Sequence, residues 1–258
     1  MKLTHDTILI TGGTSGIGLE LAGRLLTRGN TVIVTGRDPV KLAATREKLP
    51  GLHAIQSDVS DPEAIAALYQ KVTAEFPALN VLINNAGIMR KIDLQDGSTG
   101  LRDITRELET NLSGPVRMVQ QFLPHLRRQK EAAIVNVTSG LAFVPFPLSP
   151  IYSATKAGLR AYTRSLRFQL KNSTVKVFEL APPGTETPLF RNDFEEVKDM
   201  KAMDVRELGR LALLGLTKDR LEIRPGLSNV LKIMSRLAPE LIFKQLGKLA
   251  DPMISQHR

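Results

Sequence analysis

The feature that most constrains this sequence is a repeated alternation of short apolar runs with longer segments of helical periodicity. Thr7–Thr11, Thr31–Thr35 and Ala132–Val137 are examples of the runs, and each leads into a turn and then a helical pattern. Continuously apolar strands of this length are typical of a parallel sheet that is buried on both faces. The sequence therefore predicts an α/β fold, with a single doubly wound Rossmann-type parallel sheet and helices on both faces.

One domain is expected to include all 258 residues. A chain of this length can bury a large core, and no linker rich in serine, glycine or proline divides it. The alternation weakens beyond Pro182–Gly184. We expect a mainly helical segment at about 188–215, on the substrate side, and a helical C-terminal extension at about 226–258 that is interrupted at Pro239.

Composition excludes several classes of function. The chain has no cysteine, and its four histidines are dispersed, so neither a disulfide framework nor a metal site is expected. Its net charge of +9 comes from basic residues interspersed with acids, a pattern that argues against a nucleic-acid partner. No apolar run approaches the roughly 18 residues that span a bilayer. A cytoplasmic protein is expected.

A glycine-rich turn, TGGTSGIG at Thr11–Gly18, lies between the first strand and its helix. Glycines permit a tight turn and a close backbone approach to a ligand, and the free N–H groups at a helix start attract an anion. Because the turn follows the first strand of a series of strand–helix units, it predicts a site for the phosphates of a dinucleotide.

Three side chains between Ser139 and Lys156 have spacings that allow them to meet. Tyr152 and Lys156 are four residues apart, which places both on one face of a helix, and Ser139 follows a predicted strand. A tyrosine beside a cation can act as a general acid or base when its pKa falls from about 10. We interpret Tyr152 as that group, Lys156 as its pKa modifier and Ser139 as the residue that orients a substrate carbonyl. A hydrolase nucleophile at Ser139 is not expected, because the G-x-S-x-G pattern is missing.

Three motifs, TGGTSGIG, NNAG at Asn84–Gly87 and Tyr152-Ser-Ala-Thr-Lys156, resemble those of the short-chain dehydrogenase/reductase family, in the same order. The resemblance extends to about Pro188. The C-terminal part resembles a subgroup of that family, the DltE-like oxidoreductases. The resemblance implies hydride transfer between a nicotinamide cofactor and the carbonyl or alcohol carbon of a small molecule.

The resemblance also implies roles for individual residues. Those expected at the pyrophosphate are Gly12, Thr14, Ser15, Gly16, Ile17 and Gly18. Those expected along the adenosine are Asp58, Val59, Asn85, Ala86 and Gly87. Those expected near the nicotinamide are Tyr152, Lys156, Pro183, Gly184, Thr185 and Thr187. Asn111, at a predicted break between two helices, would complete a proton relay from Lys156, and a homodimer or homotetramer would form through helices near 113–129 and 153–171.

The end of the second strand favours NADP(H) over NAD(H). An acidic residue there would bind the ribose 2′-hydroxyl, whereas a basic residue accommodates a 2′-phosphate. The usual acidic position is Gly36, and Arg37 follows it. Asp38 next door and the neutral Ser15 in the glycine turn leave NAD(H) possible.

Two segments are rich in apolar side chains that would face a substrate. The loop contributes Leu141, Phe143, Val144, Phe146 and Leu148, and the later segment contributes Leu189, Phe190, Met200 and Met203. If they line the pocket, the substrate is a hydrophobic ketone, aldehyde or secondary alcohol. Arg191 and Lys198 are open candidates for an anionic substrate group.

Two other functions stay open from the sequence. One is a regulatory or structural protein that binds NADP(H) without turnover. The other is a reductase that docks on a membrane through the amphipathic segment Gly226–Leu249. Such a segment more often packs on its own domain or on a second subunit, so membrane association is not expected.

Overall fold

The computed structural model describes residues 1–192 and 194–255. Its seven strands are β1 Thr7–Thr11, β2 Thr31–Gly36, β3 His53–Gln56, β4 Leu79–Asn84, β5 Ala132–Val137, β6 Val175–Leu180 and β7 Glu222–Ile223. They form one parallel sheet in the order β3-β2-β1-β4-β5-β6-β7, which confirms the predicted doubly wound fold.

Helices connect the strands and extend beyond them at the C-terminal end. The α-helices are α1 Gly16–Leu26, α2 Pro39–Lys48, α3 Pro62–Glu75, α4 Leu101–Ile104, α5 Arg106–Leu108, α6 Gly114–Leu126, α7 Pro150–Gln169, α8 Pro188–Arg191, α9 Val205–Thr217, α10 Leu227–Leu237, α11 Pro239–Gly247 and α12 Asp251–Ser255. Shorter turns are the π-helical Glu109–Ser113 and the 3₁₀-helical Gly140–Ala142, Glu195–Val197 and Lys248–Ala250.

Helices cover both faces of the sheet, as the continuously apolar strands require. On one face, α1 and α9 pack on the strands through Leu21 and Leu216. On the other face, α3 and α6 contribute Leu68 and Phe122 to a second buried cluster. Aspartate side chains accept hydrogen bonds from the first turns of α2, α3 and α9, which explains why these helices begin where they do.

The order of the strands reverses between β1 and β4, which are adjacent in the sheet although two other strands separate them in sequence. Connections from the two strands leave to opposite faces, so a crevice opens at their carboxyl ends. The glycine-rich turn follows β1, and the NNAG motif ends β4 and continues beyond it. The fold thus brings two distant motifs to one place.

The helical predictions for the C-terminal half need correction in detail. The segment at about 188–215 contains α8, one 3₁₀ turn and most of α9, with irregular backbone between them. The predicted extension forms α10–α12, and its last residues, 256–258, lie outside the described part of the chain. Its buried Ala250 and Met253 join a third apolar cluster with Phe146 and Tyr152, so it packs on the loop around Ser139. None of the helices described is both long and apolar enough to cross a bilayer.

Candidate active site

The glycine-rich turn forms a cradle that only glycine can occupy at two positions. Gly12 and Gly16 have φ angles of +65° and +52°, and a Cβ atom on Gly12 would lie 2.7 Å from the Cα of Ala86. In the residues described, Ser15 makes no side-chain cap at the start of α1, and the first turn of that helix holds no acid. The free N–H groups of this helix start therefore favour an anion.

The turn is fixed by hydrogen bonds to the NNAG motif. The Asn85 side-chain amide donates to the carbonyl oxygens of Thr11 and Gly12, at 3.0 and 2.9 Å. The Thr11 hydroxyl accepts from the backbone N–H groups of Asn85 and Ala86, at 3.0 and 3.1 Å. Sequence reasoning missed Thr11, although a hydroxyl at the end of β1 is the signal for such a contact. The amide of Asn85 is committed to holding the turn.

A cleft of about 530 Å³ lies above this turn. Most residues that were predicted to bind the cofactor line it: Gly12, Thr14, Ser15, Gly16, Ile17, Arg37, Asp58, Val59, Asn85, Ala86, Gly87, Tyr152, Lys156 and Thr187. Gly18 lies beneath the turn instead, because a Cβ atom there would be 2.3 Å from the carbonyl oxygen of Gly12. Its role is to let α1 pack closely on the turn.

Ser139 is held at the carboxyl end of β5 by bonds to β6. The backbone N–H of Thr138 donates to the Leu180 carbonyl at 2.7 Å, and the Thr138 hydroxyl donates to buried Glu179 at 2.9 Å. The Ser139 hydroxyl accepts from the backbone N–H of Leu141 at 3.1 Å. Ser139 lines a second cavity, which adjoins the cleft.

Tyr152 and Lys156 lie one turn apart on α7, and both are almost fully buried, with 6% and 3% of their surface exposed. The Lys156 ammonium donates to the Val137 carbonyl at 2.9 Å and lies 5.6 Å from the centre of the Tyr152 ring. The fold thus places Tyr152 and Lys156 beside the carboxyl end of β5. The lysine is held by the strand rather than by the phenol.

Burial dominates the electrostatics of this pair. Burial raises the pKa of Tyr152 to about 12. A hydrogen bond from Ser139 lowers this pKa, and the charge of Glu107 raises it. Burial also lowers the pKa of Lys156 to about 8. The predicted lowering of the Tyr152 pKa by Lys156 is not the dominant effect in this structure, because desolvation of the phenolate outweighs nearby charge.

Asn111 lies in the π-helical turn that joins α5 to α6, where the sequence predicted a break between helices. Its side chain is fully buried beneath the cleft. Its Oδ1 accepts from the backbone N–H of Ile88 at 2.9 Å, and its Nδ2 donates to the Ile88 carbonyl at 2.8 Å. Turns of this kind are frequent at functional sites. In this structure the amide fixes the irregular segment that follows NNAG.

At the other end of the cleft, Arg37 is 52% exposed and lies 3.7 Å from Asp58. Lys41 lines the cleft beside it. One carboxylate oxygen of Asp38 accepts from the backbone N–H groups of Val40 and Lys41, at 2.9 and 3.2 Å, and so caps α2. Asp38 is the acidic residue that left NAD(H) possible in the sequence analysis. Its carboxylate binds the first turn of α2 in this structure.

The second cavity has a volume of about 340 Å³ and is mainly apolar. Among the residues predicted to face a substrate, Leu141, Phe146, Leu189, Phe190, Met200 and Met203 line it, together with Pro183, Gly184 and Thr185. The C-terminal extension adds Leu227, Leu231, Leu246 and Leu249, which sequence reasoning did not assign to the cavity. The extension is therefore a wall of this cavity.

Other predicted pocket residues have structural contacts instead. Phe143 lies against the Arg160 guanidinium at 4.9 Å, and Val144 and Leu148 are buried in the core. Arg191 pairs with Glu186 and donates to backbone carbonyls of the following loop. It is a structural residue of the loop rather than a receptor for an anionic substrate.

The cleft and the cavity share a boundary at which reacting groups can meet. Their common lining residues are Ile17, Met89, Thr138, Tyr152, Thr187 and Leu189. Within residues 1–192 and 194–255, no group of three or more histidine, aspartate or glutamate side chains could hold a metal ion. The Tyr152 side chain lies at this boundary and lines both the cleft and the cavity.

Comparisons with known proteins agree with this arrangement. The family model described as short chain dehydrogenase matches residues 6–198. The chain is 42% identical over 248 residues to a Bacillus subtilis protein named "Uncharacterized oxidoreductase DltE", covering 96% of this chain and 98% of that protein. The solved structure of a short-chain dehydrogenase from Sphingobium yanoikuyae in complex with NADPH is similar, with 30% identity, a TM-score of 0.76, and coverage of 84% and 87% of the two chains. A 3-ketoacyl-(acyl-carrier-protein) reductase from Brucella melitensis, complexed with NADH, gives 25% identity, a TM-score of 0.76, and coverage of 83% and 91%.

Proposed function

Because the chain belongs to the short-chain dehydrogenase family, and within it to the DltE-like oxidoreductases, we propose that it interconverts a hydrophobic carbonyl compound and its alcohol with NADP(H). The observation that carries this proposal is the buried Tyr152 at the boundary between a cleft suited to a dinucleotide and an apolar cavity. The glycine cradle and uncapped start of α1 fit the phosphates of such a cofactor. When bound, the nicotinamide supplies or accepts the hydride at the substrate carbon.

The residues around the boundary supply the proton. In reduction, the Tyr152 hydroxyl donates its proton to the oxygen that receives negative charge, and in oxidation the phenolate removes a proton from the alcohol. Ser139 donates a hydrogen bond to that oxygen and orients it. Lys156 stabilises the phenolate when Tyr152 has lost its proton, and Asn111 keeps the segment above it in place. Proton exchange with solvent through Asn111 and Lys156 is part of the proposal.

Charge at the end of β2 supports the proposed preference for NADP(H). Gly36 has no side chain to bind a ribose 2′-hydroxyl, and the Asp38 carboxylate caps α2. Arg37 and Lys41 instead place two cations on the cleft. A 2′-phosphate would pair with them, and Arg37 would then exchange its long contact with Asp58 for a charge-assisted hydrogen bond.

Replacing Arg37 with alanine is expected to raise the KM for NADPH by about tenfold or more, since a hydrogen bond to a charged group contributes about 1.5–3 kcal/mol. The KM for NADH should change little, because NADH lacks the phosphate. Steady-state kinetics with both cofactors measure this difference. Arg46→Ala is the matched control, because Arg46 is an exposed cation of α2 that does not line the cleft. Equal changes for the two cofactors would contradict the assignment of Arg37.

The substrate class follows from the second cavity. Its walls are mostly aliphatic, aromatic and methionine side chains, and its polar lining residues are Thr138, Ser139, Tyr152, Thr185, Thr187 and Lys201. A site of this kind holds the carbonyl end by hydrogen bonds and the remainder by apolar burial. Aliphatic or aromatic ketones, aldehydes and secondary alcohols fit these walls.

The test is a series of straight-chain aldehydes and methyl ketones assayed with NADPH and NADH, with the matching alcohols and oxidised cofactors. We expect kcat/KM to rise about fourfold for each added methylene, from about 0.8 kcal/mol per buried methylene, until the cavity is filled. Leu231→Asn should flatten this dependence, because Leu231 lines the cavity. Val230→Asn, on the outward side of α10, should preserve it. A rate that is independent of chain length would contradict an apolar substrate.

A homodimer or homotetramer is part of the proposal. Phe168, near the end of α7, is a large apolar side chain with 70% of its surface exposed. Contact between copies through α6 and α7 would cover it. Sedimentation velocity of the chain and of Phe168→Glu would detect such an assembly.

A further inference from the structure

Two side chains from one short helical stretch hold the segment that follows NNAG. Asn111 pairs with both backbone groups of Ile88, and Glu107, one turn earlier, accepts from the backbone N–H of Arg90 at 3.0 Å. Residues four apart on a helix share a face, so the side chains of Glu107 and Asn111 point to the same segment. Together they hold Arg90 and Ile88, and we call this pair of side chains the clamp. Between the clamped residues lies Met89, which lines both the cleft and the apolar cavity.

Glu107 is an unexpected residue for a clamp. Its side chain has 0% of its surface exposed, and burial raises the pKa of its carboxyl. Within the described chain its Oε2 has no hydrogen-bond partner, and it lies 3.8 Å from the Arg90 Nε, which is also unpartnered. A buried carboxylate carries a large desolvation cost, and a neutral amide would serve equally as the acceptor for Arg90. The carboxylate differs from an amide in placing a negative charge opposite the Arg90 guanidinium.

The surroundings of Glu107 show where that charge acts. Arg90 faces it from the clamped segment, and the Arg90 guanidinium is also bound by the more exposed Asp103 at 2.6 Å. The helix that carries Glu107, α5, packs against α7, which carries Tyr152. The charge of Glu107 raises the pKa of the Tyr152 phenol, an effect smaller than that of burial. The carboxylate thus faces one cation and lies near the proposed acid and base.

We propose that Glu107 is a positioning residue for this site: through Arg90 it holds Met89 at the boundary between cleft and cavity, and its carboxylate places a negative charge on the helix that packs against the one carrying Tyr152. The inference rests on the proposed function, because it assumes that the Tyr152 proton is used in the reaction. Glu107 itself does not touch the substrate. Its two actions, the clamp and the charge, are separated by two substitutions.

Glu107→Gln retains the acceptor for Arg90 and removes the charge, whereas Glu107→Leu removes both. We expect Glu107→Leu to lower kcat by about tenfold or more, because Met89 and the segment shift, with little change in NADPH affinity. Glu107→Gln should recover most of that loss. Asp103→Asn, which alters the exposed partner of Arg90, is the matched control and should leave kcat unchanged. Wild-type kcat in Glu107→Leu would overturn the clamp.

The effect of the Glu107 charge on Tyr152 is tested by a titration that does not require turnover. The ultraviolet absorbance of the Tyr152 phenolate is titrated with saturating NADP⁺, and each protein is compared with its own Tyr152→Phe version. The midpoint for Glu107→Gln should lie lower than wild type by about half a pH unit or more, as expected for removing a nearby charge at intermediate dielectric. An unchanged midpoint would overturn the inference, even if Glu107→Leu does not fold. If no carbonyl is turned over at all, the proposed function fails while this titration still decides the role of Glu107.

Discussion

Tyr152→Phe is expected to lower kcat by about 10²- to 10⁴-fold, the usual contribution of a positioned general acid or base. The substitution removes one hydroxyl and keeps the ring that packs among Met89, Phe146 and Phe194. Because the backbone and the glycine cradle are untouched, the affinity for NADPH should stay within about twofold, less than the value of one hydrogen bond. Stopped-flow absorbance of the reduced cofactor measures the rate, and fluorescence titration measures the affinity.

The control for this substitution is Tyr162→Phe. Tyr162 lies on the same helix and packs against the core on one face of the sheet, away from the cleft. Loss of its hydroxyl should leave kcat unchanged. Near-wild-type turnover by Tyr152→Phe would remove Tyr152 as the proton donor and with it the proposed mechanism. Loss of NADPH binding in that variant would show instead that the Tyr152 hydroxyl contributes to cofactor binding.

The parts of the site that could be predicted are those with local sequence signatures. The turn at Thr11–Gly18 needs glycine at fixed positions because of its backbone angles, and the spacing of Tyr152 and Lys156 fixes their common helix face. Both features are properties of a few adjacent residues. The alternation of strands and helices, together with the handedness of crossovers, then brought the motifs to one edge of the sheet.

The parts that could not be predicted depend on contacts between distant segments. The bond from Lys156 to the Val137 carbonyl requires the packing of α7 on β5, which no spacing in the sequence reveals. Glu107 resembled any other charge in the run from Arg102 to Glu109 until the fold buried it beneath Arg90. The role of the C-terminal extension as a cavity wall likewise follows from tertiary packing.

Lys156→Met is expected to lower kcat strongly and at the same time to stabilise the protein. Without the ammonium, nothing else described beside Tyr152 supplies a cation to its phenolate, so kcat should fall by about 10²-fold or more. Yet burial lowers the pKa of Lys156 from 10.5 to about 8, and a shift of that size corresponds to a folding penalty of about 3 kcal/mol for the charged form. Methionine has a similar length, carries no charge and fills the same space. Val137 loses its donor, which costs about 1 kcal/mol.

The sign of the pH dependence makes this result specific. The pKa of Lys156 is lower in the folded protein than in the unfolded chain, so between about pH 8 and 10.5 the unfolded chain binds more protons. Stability contributed by this group therefore rises with pH across that window, and the penalty is fully present below it. Urea unfolding of wild type and Lys156→Met should show the variant more stable by about 2 kcal/mol at neutral pH, the penalty less the lost bond. The difference should shrink towards pH 10. A variant that is less stable at neutral pH would show that the ammonium is stabilised by its surroundings, and that the lysine serves the fold as well as the reaction.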